Sequence, residues 1–216
     1  MAILTLATVL SQARTLLNDD TAVQFPDPIL IPKVQLAHQE MQTALWDSNS
    51  PSVRGVSAIL TVPANTTSLT PTSTPPLPTD YLTAFKLMES GNNSQAGPWV
   101  PMTEQFSIAD LQLSNVVPTG TLIYWQNYQD YILLLGSTAQ RYIQIQYRRA
   151  ITLPVVSTDS LGVPYSEQFL SYRTAAMAAG TLGNAEALSV LSAAAAANLT
   201  KVISANRGMQ VARVKP

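Results

Sequence analysis

Cysteine is absent from the chain, and histidine occurs once, at His38. The first absence excludes disulfides, thiolate metal sites and thiol catalysis. Metal centres need several His, Cys or clustered carboxylates, and a lone imidazole does not make one. Charge is scarce too: Asp, Glu, Lys and Arg make up 12% of the chain, about half the usual share for a soluble domain. Net charge is −1, which argues against a globally basic nucleic-acid binder. There is no phosphate-binding loop, no dinucleotide glycine fingerprint and no G-x-S-x-G elbow. The carboxylates are scattered. Their one adjacent pair, Asp19-Asp20, reads as charge near a solvated loop at a helix end. A glycosidase-like pair drawn from distant carboxylates stays open as an alternative. No segment is expected to span a membrane, because the Ala-rich stretch from Thr174 to Thr200 is interrupted by Gly180, Gly183, Asn184 and Glu186. The apolar start, Ala2 to Leu10, has no cation before Arg14 and shows helical spacing. It is expected to be a helix of the mature protein, not a signal peptide.

What remains is apolar and uncharged-polar. Hydrophobic residues form 46% of the 216, enough for a core in one domain or in one domain with an elaborate insertion. Much of the surface must then be Ser, Thr, Asn and Gln. Such a surface is poor at keeping monomers apart. It suits flanks buried against neighbours; a monomer with a Thr-rich surface is the alternative.

Periodicity divides the chain in three. Leu6, Val9, Leu10, Ala13, Leu16 and Leu17 repeat at helical spacing, with Thr5 as N-cap. After Phe25-Pro26-Asp27-Pro28, where Asp27 can cap and Pro28 fits a first helical position, Val34, Ala37, His38, Met41 and Leu45 form one stripe. Pro32 either belongs to the first turn of a later-starting helix or kinks it. His38 on that stripe reads as a core or interface residue rather than a catalytic base. From Ser50 to Pro78 the chain turns to Thr, Ser and Pro. Strands are predicted over 56–62, 66–69, 82–88, 122–126, 131–135 and 142–147, with a short helix over 107–111 and a turn at Gly91-Asn92-Asn93-Ser94. Helical spacing returns over 165–182 and from Ala185 to about Asn206, joined by the stop Gly183 and the cap Asn184.

The predicted fold class is therefore α+β: a helical bundle from N- and C-terminal helix pairs, with an inserted antiparallel β-sheet or partial barrel. Its expected parts are the bundle at 1–49 and 164–207, the β region at 50–163 and a tail at 208–216. The last cations are Lys201, Arg207, Arg213 and Lys215, with no acid after Glu186. They suit either the helix dipole and a frayed end or an arm that docks on a partner, its candidate residues being Arg207, Met209, Val211, Arg213 and Lys215.

Four passages, in order, carry a resemblance. They are the helix pair Leu6 to Trp46 with its Phe25-Pro26-Asp27 turn; Leu77-Pro78-Thr79-Asp80-Tyr81-Leu82; Tyr124-Trp125 and Tyr131-Ile132-Leu133-Leu134 followed by Ile143 to Arg149; and the junction Gly183-Asn184-Ala185-Glu186-Ala187. With these passages the chain resembles the head-to-tail adaptor (connector) proteins of tailed phages over nearly its whole length. It departs at Phe25, where relatives often have tryptophan.

The resemblance implies a non-enzymatic virion protein without cofactors, made in the host cytoplasm and placed at the head–tail junction. It implies a ring of copies, usually dodecameric, beneath the portal protein. Such a ring extends the DNA channel, lets encapsidated DNA pass without specific binding, and offers a platform to the tail or the next tail ring. It implies no membrane partner. Another tail-completion or tail-terminator subunit is the alternative within structural proteins. A tail-associated hydrolase is the alternative from another class.

Overall fold

A computed structural model describes residues 4–113 and 116–208. In chain order the elements are α1 (Leu6–Leu16), α2 (Asp27–Asp47), a 3-10 turn (Pro51–Val53), β1 (Arg54–Val56), β2 (Leu60–Val62), β3 (Ser68–Leu69), β4 (Tyr81–Ser90), β5 (Trp99–Pro101), β6 (Thr103–Glu104), α3 (Ile108–Leu113), β7 (Tyr124–Tyr128), β8 (Tyr131–Leu134), β9 (Arg141–Arg149), α4 (Glu167–Thr181) and α5 (Ala185–Gly208). The fold is mixed α+β. It divides into two units, one built from the chain before Arg54 and after Ala150, the other Arg54–Ala150. The sequence reading puts these junctions at 49/50 and 163/164, so residues 151–163 go with the helices in the structure.

In the helical unit, α1, α2 and α5 each pack on α4. The periodic residues do what their spacing predicts: Leu6, Val9, Leu10 and Ala13 of α1, and Val34, Ala37, His38, Met41 and Leu45 of α2, are buried. Ile151, Leu161 and Val163 join the same core from the segment before α4. That segment also does the work expected of the Thr5 cap. Thr5 makes no side-chain cap bond. Instead the free N–H groups of Leu6 and Ala7 donate to the carbonyls of Asp159 and Ser157, at 3.0 and 2.9 Å. The orphan donors of a helix start need partners, and here another strand of backbone supplies them. Asp159 in turn accepts from the N–H groups of Val155 and Val156, which fixes a turn in this segment, a strap over residues 151–163. Pro32 lies inside α2 with its ring exposed, because the helix begins at Asp27, earlier than a first-turn position for Pro32 allows. At the other junction Gly183 takes φ +71° and the Asn184 side chain accepts from Ala187 N–H at 3.0 Å, the stop and cap that were expected.

By length and composition α5 could cross a membrane: Ala185–Arg207 has a mean hydropathy of 1.4 over its best window. This corrects the expectation that no segment qualifies. Leucine, valine and isoleucine supply most of the hydropathy and alanine the rest, and the helix seats Leu191, Ala195 and Val202 in the core against α4.

The second unit holds two sheets around their own core of Val62, Leu87, Trp125, Ile132, Ile143 and others. One sheet has the order β1-β9-β4-β5, with β2 also on β9; the other runs β3-β8-β7-β6. The second sheet is mixed, since β6 pairs β7 in parallel, which corrects the expected all-antiparallel region. A single strand over 56–62 is also corrected. Val56 ends β1 and Leu60–Val62 form β2, both on β9, separated where Ser57 turns its hydroxyl to accept from Ile145 N–H. Alternation explains the pairing. On β9, Arg141, Ile143, Ile145 and Tyr147 face inward and the residues between them face out.

One ion pair sits inside this apolar setting. Arg141 Nε donates to Glu89 Oε1 at 2.5 Å, with both side chains under a tenth exposed. The Leu122 N–H donates to the same carboxylate, and Arg141 also donates to the Ser90 carbonyl. A buried charge is tolerable only when its partners are complete. Glu89→Ala, which strands the guanidinium, is therefore expected to cost about 3–5 kcal/mol in urea unfolding. A loss under about 1 kcal/mol, the scale of an exposed pair, would show that the pair does not hold the sheet.

Candidate functional site

The histidine and the adjacent carboxylates that the sequence singled out are held in structural contacts. His38 is fully buried on α2. Its Nε2 donates to the Leu161 carbonyl at 3.1 Å, and its Nδ1 is buried without a partner. Burial pulls its pKa below the usual 6.5, and the Leu161 carbonyl offsets only part of that. The imidazole ties the segment before α4 to α2. Among the described residues no group of three His, Cys, Asp or Glu could hold a metal ion. A groove of about 300 Å³ between α1 and α4 is lined by Ser11, Gln12, Thr15, Gln168, Ser171 and Tyr172 among others, with no charge in it.

Of the pair Asp19-Asp20, expected as solvated charge, Asp20 is exposed but Asp19 is not. Asp19 is buried and accepts from the N–H groups of Val23, Gln24 and Phe25, at 3.1, 3.2 and 2.7 Å. Burial alone would raise its carboxyl, but these bonds and Arg14 outweigh it and lower the pKa. Arg14 also donates to the Phe25 carbonyl and pairs with Asp27. Asp27 therefore serves as the ion partner of Arg14 and makes no cap bond; Pro26 occupies the cap position. Phe25 is buried in the middle. The first of the four passages is thus a closed knot between two helices.

The second and third passages meet each other. Asp80, just before β4, accepts from the Tyr147 hydroxyl of β9 at 2.7 Å, and its carbonyl accepts from Ala150 N–H. The Tyr81 and Tyr147 rings lie 5.7 Å apart. The Tyr81 hydroxyl donates to Asn127 and accepts from Ala84 N–H, which pins the β4 bulge to β7. The fourth passage is the α4–α5 joint described above. Each passage is a structural joint, and none presents a reactive group.

A family model for the SU10 adaptor protein matches residues 4–215. The chain belongs to the SU10 adaptor protein family. That makes it a phage structural adaptor and a component of the virion, of a kind that works with portal and tail proteins and is not normally an enzyme. A search of curated proteins finds no match.

Of the candidate docking residues, Arg207 lies exposed on α5 and donates to the Ser48 carbonyl at 3.4 Å. Met209, Val211, Arg213 and Lys215 lie outside the described residues. Sequence reading missed Glu89 and Arg141 and took Asp19 for solvated charge. Their flanks gave no signal of burial: Asp19 stands between Asn18 and Asp20, Glu89 before Ser90 and Arg141 after Gln140.

Two pH windows follow. The folded pKa of His38 lies below its unfolded value, so it contributes stability above about pH 6.5 that is lost as pH falls. Melts of the full chain from about pH 7 to about pH 5 should lose up to about 1.4 kcal/mol per pH unit, and His38→Gln should flatten that slope. Asp19 and Asp159 titrate below their usual 3.8 and so act at lower pH. At the other end, burial holds the hydroxyls of Tyr81 and Tyr147 protonated to about 12. This stability is present below pH 10 and lost as pH rises through 12. A phenolate titration of the eight tyrosines should show two late ones. Asp80→Asn should bring one of them earlier, because the Asp80 bond and charge add to the burial at Tyr147.

Proposed function

We propose that copies of this chain form a ring, dodecameric as the resemblance implies, seated beneath the portal protein at the head–tail junction. The match to the adaptor family over residues 4–215 carries this reading. In it the ring extends the DNA channel, and the tail or the next tail ring attaches to it. The helical parts, expected at 1–49 and 164–207, act as a bundle that forms the ring wall. The β region faces the tail or the periphery. The tail, with Arg207, Met209, Val211, Arg213 and Lys215, reaches the portal.

Two features support the assignment. From Ala187 to Thr200 α5 carries no charge, and Val190, Ala193, Ala196 and Ala197 on it are exposed. A wide, uncharged helix face with small side chains suits close burial against another helix. The low overall charge also suits a channel through which DNA slides, because tight backbone binding would need many released counterions.

Electron microscopy of the purified particle tests the reading. A ring of this chain stacked under the portal is expected; a globular monomer elsewhere in the particle, or one with hydrolytic activity, would overturn it. Limited proteolysis tests the docking arm separately. The tail should be cut in the isolated subunit and protected in the assembled particle, and equal protection in both sinks the arm.

A further inference from the structure

The β unit is electrically neutral overall but sorted by sign. Residues 54–150 hold five cations and five carboxylates. On the outer face of the first sheet, Arg54 stands directly opposite Arg148 across the β1–β9 ladder, and Lys86 opposite Gln146 across β4–β9. All three cations are exposed. Like charges directly opposite are destabilising, yet no carboxylate relieves them from these strands. Glu89 is the one acid on this sheet and points inward. The β4 bulge turns Phe85 to the same side, 41% exposed, with the Arg54 guanidinium 5.3 Å from its ring centroid. The face is therefore cationic, with an aromatic already stacked in it.

The other sheet carries the opposite character. Phe106, after β6, is fully exposed, and the exposed acids Glu104 and Asp110 flank it in sequence. An aromatic side chain left wholly in water is unusual. It is also not on a loose loop. Gln126 of β7 clamps the backbone on both sides of Ser107: its Nε2 donates to the Phe106 carbonyl at 2.7 Å and its Oε1 accepts from Ile108 N–H at 3.0 Å. Gln105 N–H donates to the Trp125 carbonyl at 2.8 Å, and Ile108 anchors the far side in the interior. The ordering cost of presenting Phe106 is met before any partner arrives.

We infer that the Phe106 knob, with Glu104 and Asp110, docks on the Arg54–Phe85–Lys86–Arg148 face of a second copy of this chain. Charge complementarity picks the occupant, since the same neutral unit carries both halves and, among the described residues, neither half forms an ion pair. A contact between two unlike surfaces is heterologous, so it propagates from copy to copy and closes into a ring when the rotation allows. The inference rests on the ring reading and names one of its contacts.

Sedimentation of the full-length chain across a concentration series at low salt tests it. Phe106→Ala should weaken self-association by about tenfold or more, as loss of a central aromatic anchor does. Lys86→Glu with Arg148→Glu should weaken it as well, and so should Glu104→Lys with Asp110→Lys. The chain carrying both reversals should recover, because the charges again match. Thermal melts identify any variant that has merely lost its fold, and the recovered chain guards against that explanation. If the wild type assembles and the variants assemble equally well, this contact is wrong and the ring reading survives. If the wild type stays monomeric at every concentration, copies do not meet through this contact and the inference is wrong, while the ring reading is decided separately by the particle images. Loss of duplex-DNA binding in the Lys86/Arg148 variant with unchanged self-association would reassign the face to a polyanion and overturn the inference.

Discussion

The β unit depends on how strand β9 is held. That strand pairs with β1 and β2 along one edge and β4 along the other, so three neighbours take their register from it. Its first residue is Arg141, and the bond from Arg141 to Glu89 joins the start of β9 to the end of β4. A one-residue slip of β9 would turn its inward row outward. It would also pull a buried guanidinium from the Glu89 carboxylate. Hydrophobic alternation alone penalises the slip; the ion pair adds a penalty of a different kind, one that apolar residues cannot mimic. The same carboxylate accepts from Leu122 N–H just before β7, so one side chain sets the position of both sheets in the unit.

The helical unit has a parallel device of opposite chemistry. Residues 151–163 form no helix or strand, yet they cap α1, bond His38 and bury Ile151, Leu161 and Val163. This explains where sequence reading worked and where it did not. The four long helices and most strands were legible, because burial on one side imposes a period of 3.6 or 2 on the residues. The strap was not, because an irregular segment that satisfies another element's backbone imposes no period. Asp19 and Thr5 fail for the same reason. Their roles depend on which amides come near, and composition does not say. The parallel pairing of β6 with β7 was equally hidden, since two residues of strand carry no directional signal.

The passages that marked the family likeness take on a physical sense. Arg14, Phe25 and Asp27 lock the α1–α2 turn; Asp80 and Tyr147 close the ends of β4 and β9; Gly183 and Asn184 make the α4–α5 joint. All are places where the chain changes direction. An enzyme family would be expected to carry its signature on groups that converge at a cleft. Here the signature lies on corners, as suits a family whose product is a shape.

The scarcity of charge reads differently once its uses are traced. Asp19 and Asp159 cap backbone, Asp27 pairs with Arg14, Glu40 with Arg173, Glu89 with Arg141, and Asp80 holds Tyr147. Each of these charges is engaged within its own unit. A surface built only for solubility would intermix the signs of those left over. In the β unit they separate instead, cations on one sheet and carboxylates toward the other. Separation raises the self-energy of each patch and gains nothing for a solitary molecule. It lowers the energy only when a patch meets opposite charge from outside its own molecule, so the distribution of the few charges says more about contacts with partners than their number does.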